Sequence, residues 1–378
     1  MSLSHSPKIV TSGLVFAYDM GNDKKSWKGA PTFNASLQNG QNDVSPWSGD
    51  GTPTSLGIDS SVKFRGRKVA KYQTGSSGNC YINGAGDLST GTTSTVWTST
   101  IYLKRVDGTP LTSVTMYQYI TNNTNVNAAQ TLTLVEDGWY KAVYTRSGLS
   151  AGYPSLTGMT GLGAGNQYYF ADWQCENNLY STPWVSGTRS NTQSLLDLTG
   201  NNTVTASSLT YNSDGTFSFN GTSNYMTVGS SSDWAFGGNG TIEQWVYPTN
   251  STGNDRLWCV NNNSSSIDAY LNGSSYNLYY HGGTANGGTL TQNAWNHVCV
   301  TYTSGVIQSY VNCVAASMGG TTTGYNITNS SQLIIGEYQN LGGYKIYGKI
   351  PVMKIYNKSL TAPEVTQNFN ALRGRYGI

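Results

Sequence analysis

Charged side chains are scarce in this 378-residue chain. Lys, Arg, Asp and Glu together make up 11% of it, and the formal net charge is +2. Nucleic-acid binding depends on a basic field that neutralises phosphates, and so weak a net charge does not build one. No apolar run approaches the ~20 residues that a helix needs to cross a bilayer. We therefore expect neither nucleic acid nor a membrane among the partners.

Residues that bind metals or form disulfides are also few. The three histidines lie far apart without ligand spacing. Two of the cysteines, Cys259 and Cys299, lie inside apolar strand patterns, and we interpret them as buried free thiols. Cys313 follows Asn312 in a turn pattern and is expected at the surface. The five cysteines are an odd set without a Cys-x-x-Cys pair: Cys80, Cys175, Cys259, Cys299 and Cys313. The sequence thus predicts no metal site, no cofactor and no disulfide framework.

Glycine, tyrosine and tryptophan are abundant, with 45, 27 and 10 copies. Together with Ser, Thr and Asn, these residues make up much of the composition, in place of the Lys, Glu, Leu and Ala that are common in helical proteins. This composition favours short strands and tight turns, and it predicts an all-β protein. Strand patterns occur at residues 13–20, 61–64, 96–103, 116–120, 138–144, 167–174, 217–228, 241–248, 294–302 and 344–350.

One helix is predicted, close to the C-terminus. Thr361 and Glu364 form a capping-box pattern, and Val365, Phe369 and Leu372 then follow at helical spacing. We expect a helix of two to three turns here, followed by a tail over residues 373–378.

The second half of the chain carries an ordered series of motifs. Alternating strands at 217–228 and 241–248 are followed by motifs at 294–302, 344–350 and 360–365. This series resembles the laminin-G-like, concanavalin A-like jelly-roll sandwiches. The resemblance implies an antiparallel β-sandwich that covers roughly half of the chain.

The middle of the chain resembles a second kind of jelly roll, the carbohydrate-binding module. The segments that carry the resemblance are Ser99–Lys104, Glu136–Tyr140, Ala171–Glu176 and Ser181–Trp184. Modules of this kind are found inserted in bacteriophage fibre and virion proteins. The expected fold is therefore two antiparallel jelly-roll sandwiches with one short C-terminal helix.

The order of two motifs predicts that one sandwich is inserted in the other. Laminin-G-like sandwiches of this type commonly open with Gly-Leu-Val-x-x-x-Asp and soon reach Asp-Leu-Thr-Gly-Asn. Here Gly13–Asp19 precedes Asp197–Asn201 by about 180 residues. The resemblance implies three segments. Residues 1–28 contribute a strand to the C-terminal sandwich, 29–186 form the inserted carbohydrate-binding-module-like sandwich, and 187–378 form the laminin-G-like sandwich.

Catalytic chemistry finds no support in the sequence. Glycoside hydrolysis needs two carboxylates that flank one bond, and no strand carries a Glu-x-Asp-x-x-Glu run. Glu243 is the best single candidate, and we interpret it as a structural carboxylate; His297 is interpreted as structural too. Relatives often carry Asp-Glu where this chain has Pro351 and Val352, so a family-type calcium site is not expected. The carboxylates of the second sandwich are isolated: Asp197, Asp214, Asp233, Glu243, Asp255, Asp268, Glu337 and Glu364.

Aromatic residues in loop-like settings are the candidates for ligand contact. Flat rings stack on sugars, but rings also fill sandwich cores and subunit interfaces, and the sequence leaves both interpretations open. The candidate carbohydrate-binding residues are Tyr279, Tyr280, His281, Tyr338 and Tyr344.

These observations favour a non-enzymatic bacteriophage virion protein, either a capsid decoration or a tail or fibre component. Its lectin-like domains are expected to adhere to host or environmental glycans. Residues 1–10 lack the apolar stretch of a secretory signal, which favours assembly in the host cytoplasm. The expected partners are other virion proteins and further copies of the chain, as a trimer, anchored through residues 1–12 or 373–378. The alternatives are a secreted or surface carbohydrate-binding protein and, with less support, a glycan hydrolase.

Overall fold

The chain folds into two compact units. The computed structural model describes residues 8–34, 47–48, 55–83, 96–120, 126–147, 154–212, 216–235, 237–251, 253–260, 267–280, 283–325, 331–338 and 344–378. Unit 1 consists of Met1–Ala30 together with Ser190–Ile378, and unit 2 is Pro31–Arg189. Unit 2 is therefore inserted within the sequence of unit 1.

Nearly all regular structure in the described residues is antiparallel strand, as the composition predicts. A 3₁₀ turn at Ser232–Trp234 and the helix α1, Ala362–Tyr376, are the exceptions among the described residues. No described helix is long and apolar enough to cross a membrane. The strands are β1 Leu14–Asp19, β2 Thr32–Phe33, β3 Trp47–Ser48, β4 Ser55–Phe64, β5 Arg67–Gln73, β6 Cys80–Asn83, β7 Trp97–Arg105, β8 Ser113–Ile120, β9 Val126–Thr131, β10 Thr133–Glu136, β11 Trp139–Arg146, β12 Pro154–Thr160, β13 Gln167–Glu176, β14 Thr188–Arg189, β15 Val204–Ser207, β16 Thr210–Tyr211, β17 Phe217–Asn220, β18 Tyr225–Val228, β19 Gly240–Pro248, β20 Asp255–Val260, β21 Ile267–Asn272, β22 Ser275–Tyr280, β23 Gly283–Thr289, β24 Asn296–Thr303, β25 Val306–Val311, β26 Val314–Ala315, β27 Gly319–Gly320, β28 Leu333–Ile335 and β29 Tyr347–Tyr356.

Two sheets form unit 1. Sheet I has the order β16-β17-β29-β19-β24-β25-β26, with β1 also paired to β29, and sheet II has the order β15-β18-β28-β20-β21-β22-β23-β27. Alternate side chains of both sheets point into one apolar core, which includes Phe16, Met226, Trp258, Leu278 and Ile355. Period-2 alternation is what a sheet with one buried face requires, so the predicted jelly-roll sandwich is confirmed.

Unit 2 is built in the same way from two further sheets. Sheet III has the order β10-β11-β7-β13-β5-β4, and sheet IV has the order β3-β6-β12-β8-β9. Their shared core contains Tyr72, Ile101, Met116, Phe170 and Trp173, all of them fully buried. The Ile-x-Leu spacing of β7 places Ile101 on the inner face of sheet III. Phe170 and Trp173 of β13 both reach the core because the register of β13 shifts between Ala171 and Gln174.

The strand β1, near the start of the sequence, pairs with β29, near its end. It pairs antiparallel with β29, from Leu14 opposite Tyr356 to Asp19 opposite Val352. The carboxylate of Asp197 accepts a hydrogen bond from the backbone N–H of Ala17 at 3.0 Å. The pairing expected of residues 13–19 is therefore present, and it brings together two motifs that the insertion separates in sequence.

The helix α1 has the predicted capping box. The side chain of Thr361 accepts from the backbone N–H of Glu364, and Glu364 reciprocates. The predicted tail is wrong, because the helix continues through Arg373 to Tyr376 and ends at Gly377 with φ 73°. The reason is packing: the ring of Tyr376 stacks on Trp245 at 4.2 Å between centroids.

Under α1 lies a buried polar network on the outer face of sheet I. Glu243 is fully buried and accepts from Lys354 at 2.6 Å and from Asn368 at 2.6 Å, with His297 at 3.1 Å. Burial acts to raise the pKa of Glu243, but Lys354 and His297 outweigh it and bring that pKa to about 2. Both Glu243 and His297 are fully buried in this network, and their interpretation as structural residues stays a prediction. The network also reaches Val10, whose N–H donates to Asn368 at 2.7 Å.

We expect Glu243→Gln to lower the free energy of unfolding by about 3–5 kcal/mol, because it leaves Lys354 buried without its counter-charge. The pKa of Glu243 is depressed, so its contribution is present above pH ~4.5 and is lost as the pH falls towards 2. Urea denaturation followed by tryptophan fluorescence measures both effects. Adding Lys354→Met to the variant should recover part of the loss, and additive losses would contradict this account.

Candidate functional site

The outer face of sheet II carries a row of polar and aromatic side chains. On β21, Ile267, Ala269 and Leu271 point into the core, and Asp268 and Tyr270 point outward. On β22 the outward positions are Asn277 and Tyr279. Asp268 lies opposite Tyr279 and Tyr270 lies opposite Asn277, so the outward side chains of the two strands are direct neighbours.

Arg256 lies at the centre of this face. Its guanidinium carbon is 4.5 Å from the ring centroid of Tyr270, 4.8 Å from that of Tyr338 and 5.3 Å from that of Tyr344. The rings of Tyr338 and Tyr344 meet edge to face at 5.8 Å. We call Arg256, Asp268, Tyr270, Tyr338 and Tyr344 the tyrosine–arginine cluster. Its geometry is that of repeated cation–π contact.

Backbone irregularities hold the cluster in place. The register of β20 shifts between Arg256 and Trp258, so that Leu257 and Trp258 both enter the core while Arg256 remains outside. The N–H of Arg256 donates to the carbonyl of Tyr344 at 2.7 Å. Tyr344 has φ 56°, a conformation that a tyrosine adopts only at a cost in strain. That strained tyrosine is also 54% exposed.

Asp268 is the acidic member of the cluster. It is fully buried, and its Oδ1 lies 3.0 Å from Nε of Arg256. Within the described residues, neither carboxylate oxygen accepts a hydrogen bond of good geometry. Burial raises the pKa of Asp268 to about 7, and the charge of Arg256 only partly opposes the rise. Beside this pair lies a second ion pair, between Lys345 and the buried carboxylate of Glu337.

Three of the five residues predicted to bind carbohydrate come together here. Tyr279, Tyr338 and Tyr344 share the outer face of sheet II, and burial, Asp268 and Tyr279 are among the causes that raise the pKa of Tyr338. Tyr280 points the other way and packs at 5.3 Å against Tyr325, on the core side. Tyr279 and Tyr280 lie in β22 and not in a loop, so that expectation is wrong. His281 lies outside the described residues.

Sequence reasoning missed Arg256 and treated Asp268 as an isolated carboxylate. The alternation of side chains in β21 could have predicted the position of Asp268. Because Ile267, Ala269 and Leu271 face the core, Asp268 and Tyr270 must share the opposite face of the strand. Arg256 gives no such signal, because the bulge in β20 breaks the alternation. In the part of the chain that the structure describes, no group of three or more His, Cys, Asp or Glu side chains could hold a metal ion.

The pKa of Asp268 leads to a test of pH dependence. Its pKa is about 7 when folded, against ~3.9 in an unfolded chain. The folded state therefore binds the extra proton between these values, and this group makes stability fall as the pH rises from ~4 to ~7. We expect Asp268→Asn to gain stability relative to wild type over that range, by a few kcal/mol at most. Urea denaturation at a series of pH values measures the difference, and a difference that does not change with pH would contradict the assignment.

Comparison with known families gives one match. Residues 220–366, less than half of the chain, match the family model Laminin_G_3, described as the concanavalin A-like lectin/glucanases superfamily. The matched segment contains β18 to β29, and hence the whole tyrosine–arginine cluster. No curated protein matches the chain.

Solved structures with similarity to the chain share little sequence with it. Domain 4 of an extracellular arabinanase from Geobacillus stearothermophilus, solved in complex with arabinotriose, is 16% identical over 47% of this chain and 92% of that chain, with a TM-score of 0.37. The binding domain of botulinum neurotoxin serotype G is 16% identical over 47% of this chain and 48% of that chain, with a TM-score of 0.38. The chain thus spans about half the length of that neurotoxin chain. A domain similar to the concanavalin A-like lectin/glucanase superfamily therefore occupies residues 220–366.

Proposed function

We propose that the chain is a non-enzymatic glycan-binding protein whose site is the tyrosine–arginine cluster on sheet II. The observation that carries this proposal is the convergence of Tyr270, Tyr338 and Tyr344 on Arg256, on a face where Tyr279 lies opposite Asp268. Aromatic faces offer rigid apolar area to the flat side of a sugar ring, and a few fixed polar groups orient the hydroxyls. The family match of the same segment to lectin-like domains supports the proposal.

Each part of the cluster has a separate role in this proposal. Tyr344 is the most exposed ring, at 54%, and is the first that a glycan would meet. Asn277 and Asn286 lie opposite each other on β22 and β23, where their amides extend the face with donors and acceptors. Asp268 is buried and acts as a positioning residue that holds the guanidinium of Arg256 under the rings.

The carboxylate of the cluster, Asp268, and the neighbouring carboxylate of Glu337 support binding rather than hydrolysis. Glycoside hydrolysis needs one acid and one base or nucleophile that both reach the scissile bond. Asp268 and Glu337 are both fully buried, and each faces its own cation, Arg256 or Lys345. The raised pKa of Asp268 is the feature that favours the alternative of a glycan hydrolase. A catalytic role for it would require a second carboxylate with access to the same sugar.

A glycan array probed with the full chain tests this proposal. We expect binding to a subset of neutral glycans, weakened about fivefold to tenfold by Tyr344→Ala, the loss expected for one stacked ring. Tyr347→Ala is the matched control, since Tyr347 is 46% exposed but lies outside the cluster. An array without any signal, or equal losses in the two variants, would contradict the proposal. Release of reducing sugar from a bound glycan, abolished by Asp268→Asn, would instead establish the hydrolase.

The setting that we propose for this activity is a bacteriophage virion, with assembly in the host cytoplasm. Four of the five cysteines are buried and all five are free, which suits a chain that folds in a reducing compartment. Two edge strands expose apolar side chains: Leu134 on β10 is 61% exposed, and Val314 on β26 is 70% exposed. Such edges suit lateral packing against other virion proteins or further copies of the chain.

We expect the purified chain to form a trimer, as measured by size-exclusion chromatography with light scattering. Leu134→Lys together with Val135→Lys should shift it towards monomer, because both residues are exposed on the edge strand β10. Val306→Lys is the control, since Val306 is 47% exposed on β25, which is not an edge strand. A chain that stays monomeric at high micromolar concentration, together with particles that lack it, would contradict the virion proposal.

A further inference from the structure

The outer face of sheet III, in unit 2, carries a half-buried lysine. Lys141 on β11 lies opposite Tyr102 on β7, which lies opposite Ala171 on β13. The inner positions of these strands, such as Ile101 and Ala142, belong to the core of unit 2. Lys141 and Tyr102 therefore point away from that core.

The turn between β4 and β5 crosses this face. Arg65 and Gly66 form the turn, with φ 50° and 81°, and Phe64 packs at 4.8 Å on Tyr102 and at 4.6 Å on Trp139. Sheet III runs β10-β11-β7-β13-β5-β4, so β4 is at one edge and β10 at the other. Arg65 nevertheless reaches Glu136, the last residue of β10, at 2.7 Å. The turn thus crosses the sheet, and the guanidinium carbon of Arg65 lies 5.1 Å from the ring centroid of Tyr102, the residue opposite Lys141.

The charges on this face do not balance at Lys141. Arg65 pairs with Glu136, and Arg67 pairs with Asp172. The nearby carboxylate of Glu176 is already occupied, because it accepts from Thr32, Gln174, Thr182 and Asn178. Among the described residues, the ammonium of Lys141 has neither an ion pair nor a hydrogen bond.

The environment of Lys141 is unfavourable to its charge. Burial lowers its pKa, Glu176 partly restores it, and the charge of Arg65 lowers it further. A desolvated cation beside a second cation gains most from an incoming anion, because the anion neutralises a charge that the protein leaves uncompensated. The Arg65–Glu136 pair is 45% and 42% exposed, so its guanidinium remains open to solvent and to a ligand.

We propose that the outer face of sheet III, at Lys141 and Arg65, binds the anionic group of an acidic polysaccharide, carboxylate or sulfate. This site is in unit 2 and is independent of the tyrosine–arginine cluster in unit 1. A polysaccharide fits better than a nucleic acid, because one unpaired lysine and one shared arginine match one or two anionic groups. A phosphodiester chain is bound by a longer row of cations.

The experiment uses the full chain and isothermal titration calorimetry at low salt. The probes are an oligouronate, a sulfated oligosaccharide and a neutral oligosaccharide of the same length. We expect at least one acidic probe to bind and the neutral probe not to compete with it. Lys141→Met should weaken that binding at least tenfold, and Lys141→Arg should retain most of it. Lys68→Met is the matched control, since it removes the same charge from an exposed position on β5, and it should change the affinity less than twofold.

The proposal is overturned if neither acidic probe binds, if Lys68→Met weakens binding as much as Lys141→Met, or if an oligonucleotide of equal charge binds as tightly as the acidic probes. Near-UV circular dichroism of each variant shows whether unit 2 remains folded. If Lys141→Met is destabilised, the affinity of Lys141→Arg for the acidic probes still tests the proposal, because this variant keeps the positive charge. Tyr344→Ala should leave the binding of acidic probes unchanged. Loss of binding in that variant alone would assign the acidic ligand to unit 1 and refute the site at Lys141.

Discussion

The strand β29 is the constraint on which unit 1 depends. It pairs with β19 along one edge, and its other edge is divided between β1 and β17. One of these partners comes from the first twenty residues of the chain, and β29 itself comes from the last thirty-two. The strand β1 is therefore held in sheet I by pairing with a strand from the other end of the sequence. Contacts of such sequence separation are costly to form, so unit 1 is expected to fold slowly and late.

The position of the candidate site follows from how the two outer faces of unit 1 are used. The outer face of sheet I is covered by α1, whose Phe369 and Tyr376 stack on Trp245 over the buried Glu243 network. The outer face of sheet II has no such helix among the described residues. Its polar and aromatic side chains are instead held by the irregular backbone at Arg256 and Tyr344. The outer face of sheet I is thus covered by a helix, whereas the outer face of sheet II carries the tyrosine–arginine cluster.

Local pattern was enough to predict the fold class, the strand from Gly13 to Asp19 and the capping box at Thr361. Each of these depends on residues close in sequence, where side-chain parity and capping chemistry act directly. The extent of α1 could not be predicted, because Tyr376 is held in the helix by a ring that lies more than a hundred residues away. The candidate site was only half predictable for a related reason. Neighbouring tyrosines in β22 face opposite sides, and the bulge that exposes Arg256 is a feature of pairing with another strand.

The insertion of unit 2 in the sequence of unit 1 also determines the effect of a single proteolytic cleavage. Trp27 bridges Leu195, and the N–H of Lys28 donates to the carbonyl of Ser194, so the two crossings between the units are held side by side. Cleavage anywhere in Pro31–Arg189 would leave β1 on the amino-terminal fragment and β29 on the carboxyl-terminal one. The fragments would stay together through the β1–β29 ladder and the hydrogen bond from Ala17 to Asp197. Nicked protein would therefore migrate as one particle until it is denatured, and would then separate into two pieces.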